Sequence, residues 1–236
     1  MADVLQQVAD FFDTTNPSFR KAVYFVLLLI ALVLHEFAHA ITALWFGDKS
    51  VRHRVTLNPL KHLDPLFSVG LPLLLLYQFG VVFGAGRPVP VEVDRLRFPN
   101  LGMTVISAAG PAMNVLIAAV STVVLVGLVE GGAISVVSYT SDLLWTAIKL
   151  NLLLAAFNML PVPPLDGHRV LGFFLPRPVR ERFYRMWWLG LILLLLMFFQ
   201  GGFGVFHDEI LSPIGKWWMR WMPEGAGRLF PSGWTR

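Results

Sequence analysis

His35-Glu36-Phe37-Ala38-His39 sets two imidazoles four residues apart with a carboxylate between them, inside an apolar run from about Ala22 to Phe46. Four helical residues advance about 6 Å along the axis and about 40° around it, so both rings can reach one ion from the same face. The chemistry that suits this spacing is metal-assisted hydrolysis, with the glutamate carrying protons beside a zinc ion. The helix carrying it is long and hydrophobic enough to cross a bilayer. Ionisable groups in such a segment cost about 2.5–3.5 kcal/mol each on insertion scales, so their presence here points to a task.

The rest of the composition agrees with a membrane setting. Of 236 residues 56% are hydrophobic and 14% charged, with a mean hydropathy of +0.63, which describes a polytopic membrane protein. The net charge of +4 comes from arginines in short loops between apolar segments, a topology signal with no nucleic-acid partner implied. Cysteine is absent, so there is no disulfide and no thiol nucleophile, and any zinc must be held by nitrogen and oxygen. A signal-peptide reading of the N-terminus fails, because cleavage at Ala38-His39-Ala40 would cut the metal motif.

The elements that must position the motif form an all-α polytopic membrane fold. Five apolar segments are expected, at about 20–46, 66–84, 101–129, 142–160 and 186–206, with short membrane-associated strands at 51–57 and 89–93 between the first and third. Residues 1–18 read as an amphipathic interfacial segment, 19–206 as the intramembrane domain, and 207–236 as a Trp-rich, basic interfacial tail. Arginines place the 85–100 and 161–185 loops in the cytoplasm, and the 130–141 loop, without Lys or Arg, outside. The 47–65 loop is basic as well, which puts both flanks of segment 66–84 on one side and favours a re-entrant hairpin there.

A catalytic zinc needs a third protein ligand. Asp166 is the best candidate, in Asn158-Met159-Leu160-Pro161-Val162-Pro163-Pro164-Leu165-Asp166-Gly167, where three prolines forbid a regular helix near the membrane. The competing reading makes Asp166 a helix cap, and His168 is a competing ligand two residues on. His53, His62 and His207 read as surface groups.

With these residues in view, the chain resembles the site-2 protease family of intramembrane zinc metalloproteases, peptidase family M50, in a compact form without a PDZ or CBS domain. His35-Glu36-x-x-His39, Gly110-Pro111-Ala112-Met113-Asn114, Thr56-Leu57-Asn58-Pro59 and Asn158-x-x-Pro161-x-Pro163-x-Leu165-Asp166-Gly167 carry the likeness, over about residues 31–172. It departs from many relatives at His168, where they have a second glycine. The resemblance implies His35, His39 and Asp166 as Zn2+ ligands and Glu36 as the catalytic carboxylate. It further implies that Asn158 and Asn114 contact substrate or the oxyanion; the competing reading of both amides is helix-to-helix hydrogen bonding.

The expected function is therefore hydrolysis of peptide bonds in transmembrane segments of other membrane proteins, by zinc-activated water with Glu36 as general base. The expected setting is a prokaryotic plasma membrane with the site toward the cytoplasmic side; substrates and lipid are the partners, and no oligomeric state is implied. An edge at 51–57 or 89–93 would let an unwound substrate add as a strand. The alternative is a proton or metal-ion transporter, since buried His, Glu and Asp also form relays. A further alternative is an idle scaffold that binds membrane helices without zinc.

Overall fold

The computed structural model describes residues 17–79, 84–136, 138–186, 188, 190, 192 and 206–222. Helix α1, Pro17–Trp45, carries the motif. A 3-10 turn at Ser50–Arg54 and the short α2, Pro59–His62, lead to a π-helical turn, Pro65–Gly70, that runs into α3, Leu71–Phe79. The long α4, Pro99–Glu130, is followed by α5, Tyr139–Asn158. Then come α6, Asp166–Phe174, α7, Arg177–Arg185, and α8, Ser212–Trp218.

The helix starts follow from side chains that satisfy the free N–H groups of a first turn. Asn58 accepts from the Leu60 amide, Asp64 from those of Leu66 and Phe67, and Ser138 from that of Ser141. Proline occupies the first turn of α2, α4 and α7, where its missing N–H costs nothing.

Helix α4 is the centre of the fold and packs on α1, α5 and α6. Alanines 31, 38, 40 and 43 line the buried side of α1 and let its neighbours approach closely, as membrane helices require. Leu28, Ala31 and Leu32 of α1 meet Leu150 and Leu154 of α5. Ala118 and Leu125 of α4 pack with Trp145, Ile148, Leu152 and Phe157 of α5, and Trp218 of α8 closes that cluster. The Trp218 indole N–H donates to Thr122 at 2.8 Å, so its one polar atom is satisfied inside the apolar packing. At the start of the bundle, Arg20 of α1 is ion-paired with Asp142 of α5.

Three expectations about the fold need correction. Among the described residues only two helices, Phe19–Trp45 and Pro99–Glu130, are long and apolar enough to cross a membrane, where five apolar segments were expected. Helix α5 has 20 residues, but Asp142, Lys149 and Asn151 interrupt its apolar character. Segment 186–206 falls mostly outside the described residues, as do residues 1–16 of the N-terminal segment and 223–236 of the tail.

Nor does any β-strand occur among the described residues; one isolated antiparallel bridge joins Leu63 to Gly86. Residues 50–54 coil because the Asp48 carboxylate accepts both the N–H and the hydroxyl of Ser50, which starts a tight turn. Val51 and Arg54, three apart, then face inward while Arg52 and His53 face out, the periodicity of a 3-10 turn. Residues 89–93 form no ladder: Val91 N–H bonds the Val89 carbonyl, Glu92 N–H goes to the Asp48 side chain, and Pro88 and Pro90 cannot donate.

The third correction concerns His62, which lies where the two flanks of segment 66–84, expected as a re-entrant hairpin, are bonded to each other. Ala85 N–H donates to the Phe67 carbonyl at 3.1 Å, Arg87 N–H to that of His62 at 2.6 Å, and the Ser68 hydroxyl to that of Ala85 at 2.6 Å. The two flanks of the segment therefore lie side by side. His62, expected at the surface, is buried at this junction and donates from Nε2 to the Thr56 carbonyl at 2.6 Å; burial lowers its pKa.

Candidate active site

His35, Glu36 and His39 lie on the buried face of α1, 5–7% exposed. The His35 and His39 rings meet edge to face, with their Nε2 atoms 3.0 Å apart. Asp166, the first residue of α6, brings Oδ2 to 3.2 Å from His35 Nε2 and 3.4 Å from His39 Nε2.

Local sequence explains how a residue so far along the chain arrives there. Helix α5 ends at Asn158, and the prolines at 161, 163 and 164 keep 159–165 irregular. The chain doubles back so tightly that Gly167 lies against the backbone of Met159 and Leu160, where a side chain would collide. That contact holds the start of α6 and its aspartate beneath the two rings.

The outer nitrogen of each ring is also fixed. His39 Nδ1 is 2.6 Å from the Ile106 carbonyl oxygen, on α4 just before Pro111 interrupts that helix's ladder. His35 Nδ1 is 2.5 Å from Oδ1 of Asn114. Asn114 is fully buried, and its Nδ2 donates to Asn151 of α5 at 2.9 Å. With its Oδ1 and Nδ2 both engaged, the Asn114 amide faces the ring of His35. Asn158, at the end of α5, is half-buried and donates from Nδ2 to the Leu154 carbonyl at 3.0 Å. His168 turns from the cluster: its Nδ1 meets the Leu165 carbonyl and its ring packs on Tyr184.

Two glycines that sequence reasoning did not single out for chemistry shape the site. At Gly110 of α4 a methyl group would lie 2.5 Å from His35 Nε2 and collide with His39 Nε2 as well, so the absent side chain leaves the inner face of both rings open. At Gly86 an added carbon would come within 2.7 Å of Glu36 Oε1, so this backbone rests directly on the carboxylate. The other oxygen, Oε2, is buried and has no hydrogen-bond partner among the described residues. Arg54 clasps the same segment, donating to the carbonyls of Arg87 and Pro88. Burial lowers the pKa of Arg54; the charge of Glu36 opposes that shift and Arg87 adds to it. Gly110 opens one of the motifs that carry the family likeness, whereas Gly86 and Asn151 stand in no motif.

The cluster fits a zinc ion. A tetrahedral site with zinc–nitrogen and zinc–oxygen distances of about 2.0–2.2 Å separates neighbouring donors by about 3.3–3.6 Å. The observed 3.4 Å falls in that range and 3.2 and 3.0 Å lie just below it, so the three donors converge as closely as one ion requires, and the cradle beside Gly110 is the space it would occupy. Two neutral nitrogens and one carboxylate are a donor set of the catalytic kind, with one position left over.

Comparison with known proteins agrees. The profile described as Peptidase family M50 matches residues 23–198. YwhC of Bacillus subtilis, whose name classes it with zinc metalloproteases, is 33% identical over 210 residues, covering 86% of each chain. Rip2 of Mycolicibacterium smegmatis is 34% identical over 67% of this chain, which spans 61% of that protein. The zinc metalloprotease MJ0392 of Methanocaldococcus jannaschii is 30% identical over 69% of this chain, which spans 37% of that protein. No solved structure matches the chain.

Proposed function

The chain belongs to peptidase family M50, the site-2 protease family of zinc metalloproteases, and on that premise we propose that it is an intramembrane endopeptidase cutting transmembrane segments of other membrane proteins near their cytoplasmic ends. The observation that carries this reading is the convergence of His35, His39 and Asp166 beside a buried carboxylate in an apolar bundle. Bound there, zinc would polarise a peptide carbonyl and bring the pKa of water from 15.7 to about 7.

The residues of the chain do the rest. Glu36 sits one position past His35, and its unpartnered Oε2 is the acceptor available to a water molecule's proton. The same carboxylate then hands that proton to the departing amine. Gly86 keeps the space above Glu36 free of side chains. Asn158, at the break that delivers Asp166, is assigned to the substrate or the oxyanion. The positive loops at 85–100 and 161–185 support a cytoplasmic opening.

Glu36→Gln is expected to keep stoichiometric zinc and lose about 10²–10⁴ in rate. Asp166→Ala is expected to lose the metal. Comparing membrane proteomes of cells carrying the intact chain and Glu36→Gln should show single-span proteins accumulating with the inactive form. Undiminished cleavage by Glu36→Gln, or full zinc in Asp166→Ala, would refute these roles.

A further inference from the structure

Behind His35 runs a chain of hydrogen bonds whose direction is set by a backbone carbonyl. Asn151 Nδ2 lies 2.9 Å from the Ala147 carbonyl oxygen, one turn back on α5. A carbonyl only accepts, so the NH2 group of Asn151 must face it and Oδ1 must face away. That oxygen is 2.9 Å from Asn114 Nδ2, which fixes the second amide with its NH2 toward Asn151 and its oxygen toward His35. Asn114 Oδ1 is 2.5 Å from His35 Nδ1, so Nδ1 is the donor. A neutral imidazole has one N–H, and the lone pair therefore falls on Nε2. Nε2 is the atom that faces His39 and Asp166.

We infer that Asn151 is a positioning residue: it fixes the Asn114 amide and, through it, the metal-binding tautomer of His35. An asparagine amide has nearly the same shape either way round. Reversed, Asn114 would present NH2 to Nδ1, drive the proton to Nε2 and remove the lone pair from the cluster. His35, Asn114 and Asn151 are 5%, 0% and 3% exposed, so bulk water does not reach in to reset the direction. His39 needs no relay, because its Nδ1 meets the Ile106 carbonyl directly. Asn151 stands among Leu150, Leu152 and Leu154 in the packed part of α5, where an amide is retained only if its bonds are made.

The inference rests on the metal reading of the cluster, but the tautomer belongs to the metal-free protein and is measured separately. The full chain, labelled with 15N-histidine and stripped of metal, gives the tautomer from its ring nitrogen shifts; competition with a chromophoric chelator gives zinc affinity. The intact chain should show a proton held on His35 Nδ1. Asn151→Leu should mix the two His35 tautomers, spare His39 and weaken zinc about 10–100-fold. Asn151→Asp still offers Asn114 an acceptor and should keep the intact pattern. Adding Asn114→Asp to Asn151→Leu should restore it, since a carboxylate presents oxygen either way round. A single tautomer with undiminished zinc affinity in Asn151→Leu, or mixed tautomers in the double variant, would overturn the assignment. If the tautomers follow this series but the intact chain takes up no zinc, the metal reading fails and the relay stands.

Discussion

At the scale of single residues, the site depends as much on what is missing as on what is present. A methyl group at Gly110 would intrude to 2.5 Å from His35 Nε2. Alanine in place of a mid-helix glycine ordinarily favours the helix by about 1 kcal/mol. Overpacking against two buried rings costs about 1–3 kcal/mol, so Gly110→Ala is expected to stay folded but melt somewhat lower than the intact chain, while its zinc content falls below a tenth of stoichiometric. Metal analysis beside a thermal melt separates the two effects, and a folded variant with full zinc would contradict the cradle. Motif and resemblance made His35, Glu36, His39 and Asp166 legible before any coordinates, because ligand chemistry is written in residue types and spacing. The roles of Gly110, Gly86 and Asn151 were not legible in that way. Each depends on which helix passes by, a fact of packing rather than of local sequence.

At the scale of elements, long helices were legible from hydrophobic runs, but the polar connections were misread. The alternation at 51–57 reads as a strand until Asp48 is considered. Its buried carboxylate gathers the Ser50 hydroxyl and amide together with the Glu92 amide, the last at 2.8 Å, and so clasps two loops. Burial alone would raise the Asp48 pKa; the bonds from Ser50 and Glu92 and the charge of Arg95 outweigh it and hold the value below normal. With the folded pKa below the unfolded one, this contribution is complete above about pH 4 and is lost as pH falls through the lower folded value. Hydrogen-exchange protection of the Glu92 amide should thus decline on acidification below about pH 4 in the intact chain. In Asp48→Asn, whose NH2 group cannot accept from Glu92, that protection should be low and insensitive to pH. Equal protection in the two proteins across the range would remove Asp48 as the clasp.

At the scale of the whole molecule, orientation is open to direct measurement because the chain has no cysteine to remove first. Asp94 and Ala133 are both exposed, one in the basic loop before α4 and one in the loop after it, which carries no Lys or Arg. Asp94→Cys should react with an impermeant maleimide only in permeabilised cells, and Ala133→Cys in intact ones; the reverse pattern would invert the proposed opening. The ion pair of Arg20 with Asp142 joins the far ends of α1 and α5, but both groups are partly exposed and its worth is at most about 1 kcal/mol. A stronger tie is available at the other end. Asp166 meets histidines that were synthesised about 130 residues earlier, and closing so wide a ring of chain restrains the motions of everything between. An ion at that junction would be a structural rivet as well as a reagent. Starving the protein of metal would then slacken the 159–174 return and α1 together, linking the supply of zinc to the life span of the fold itself.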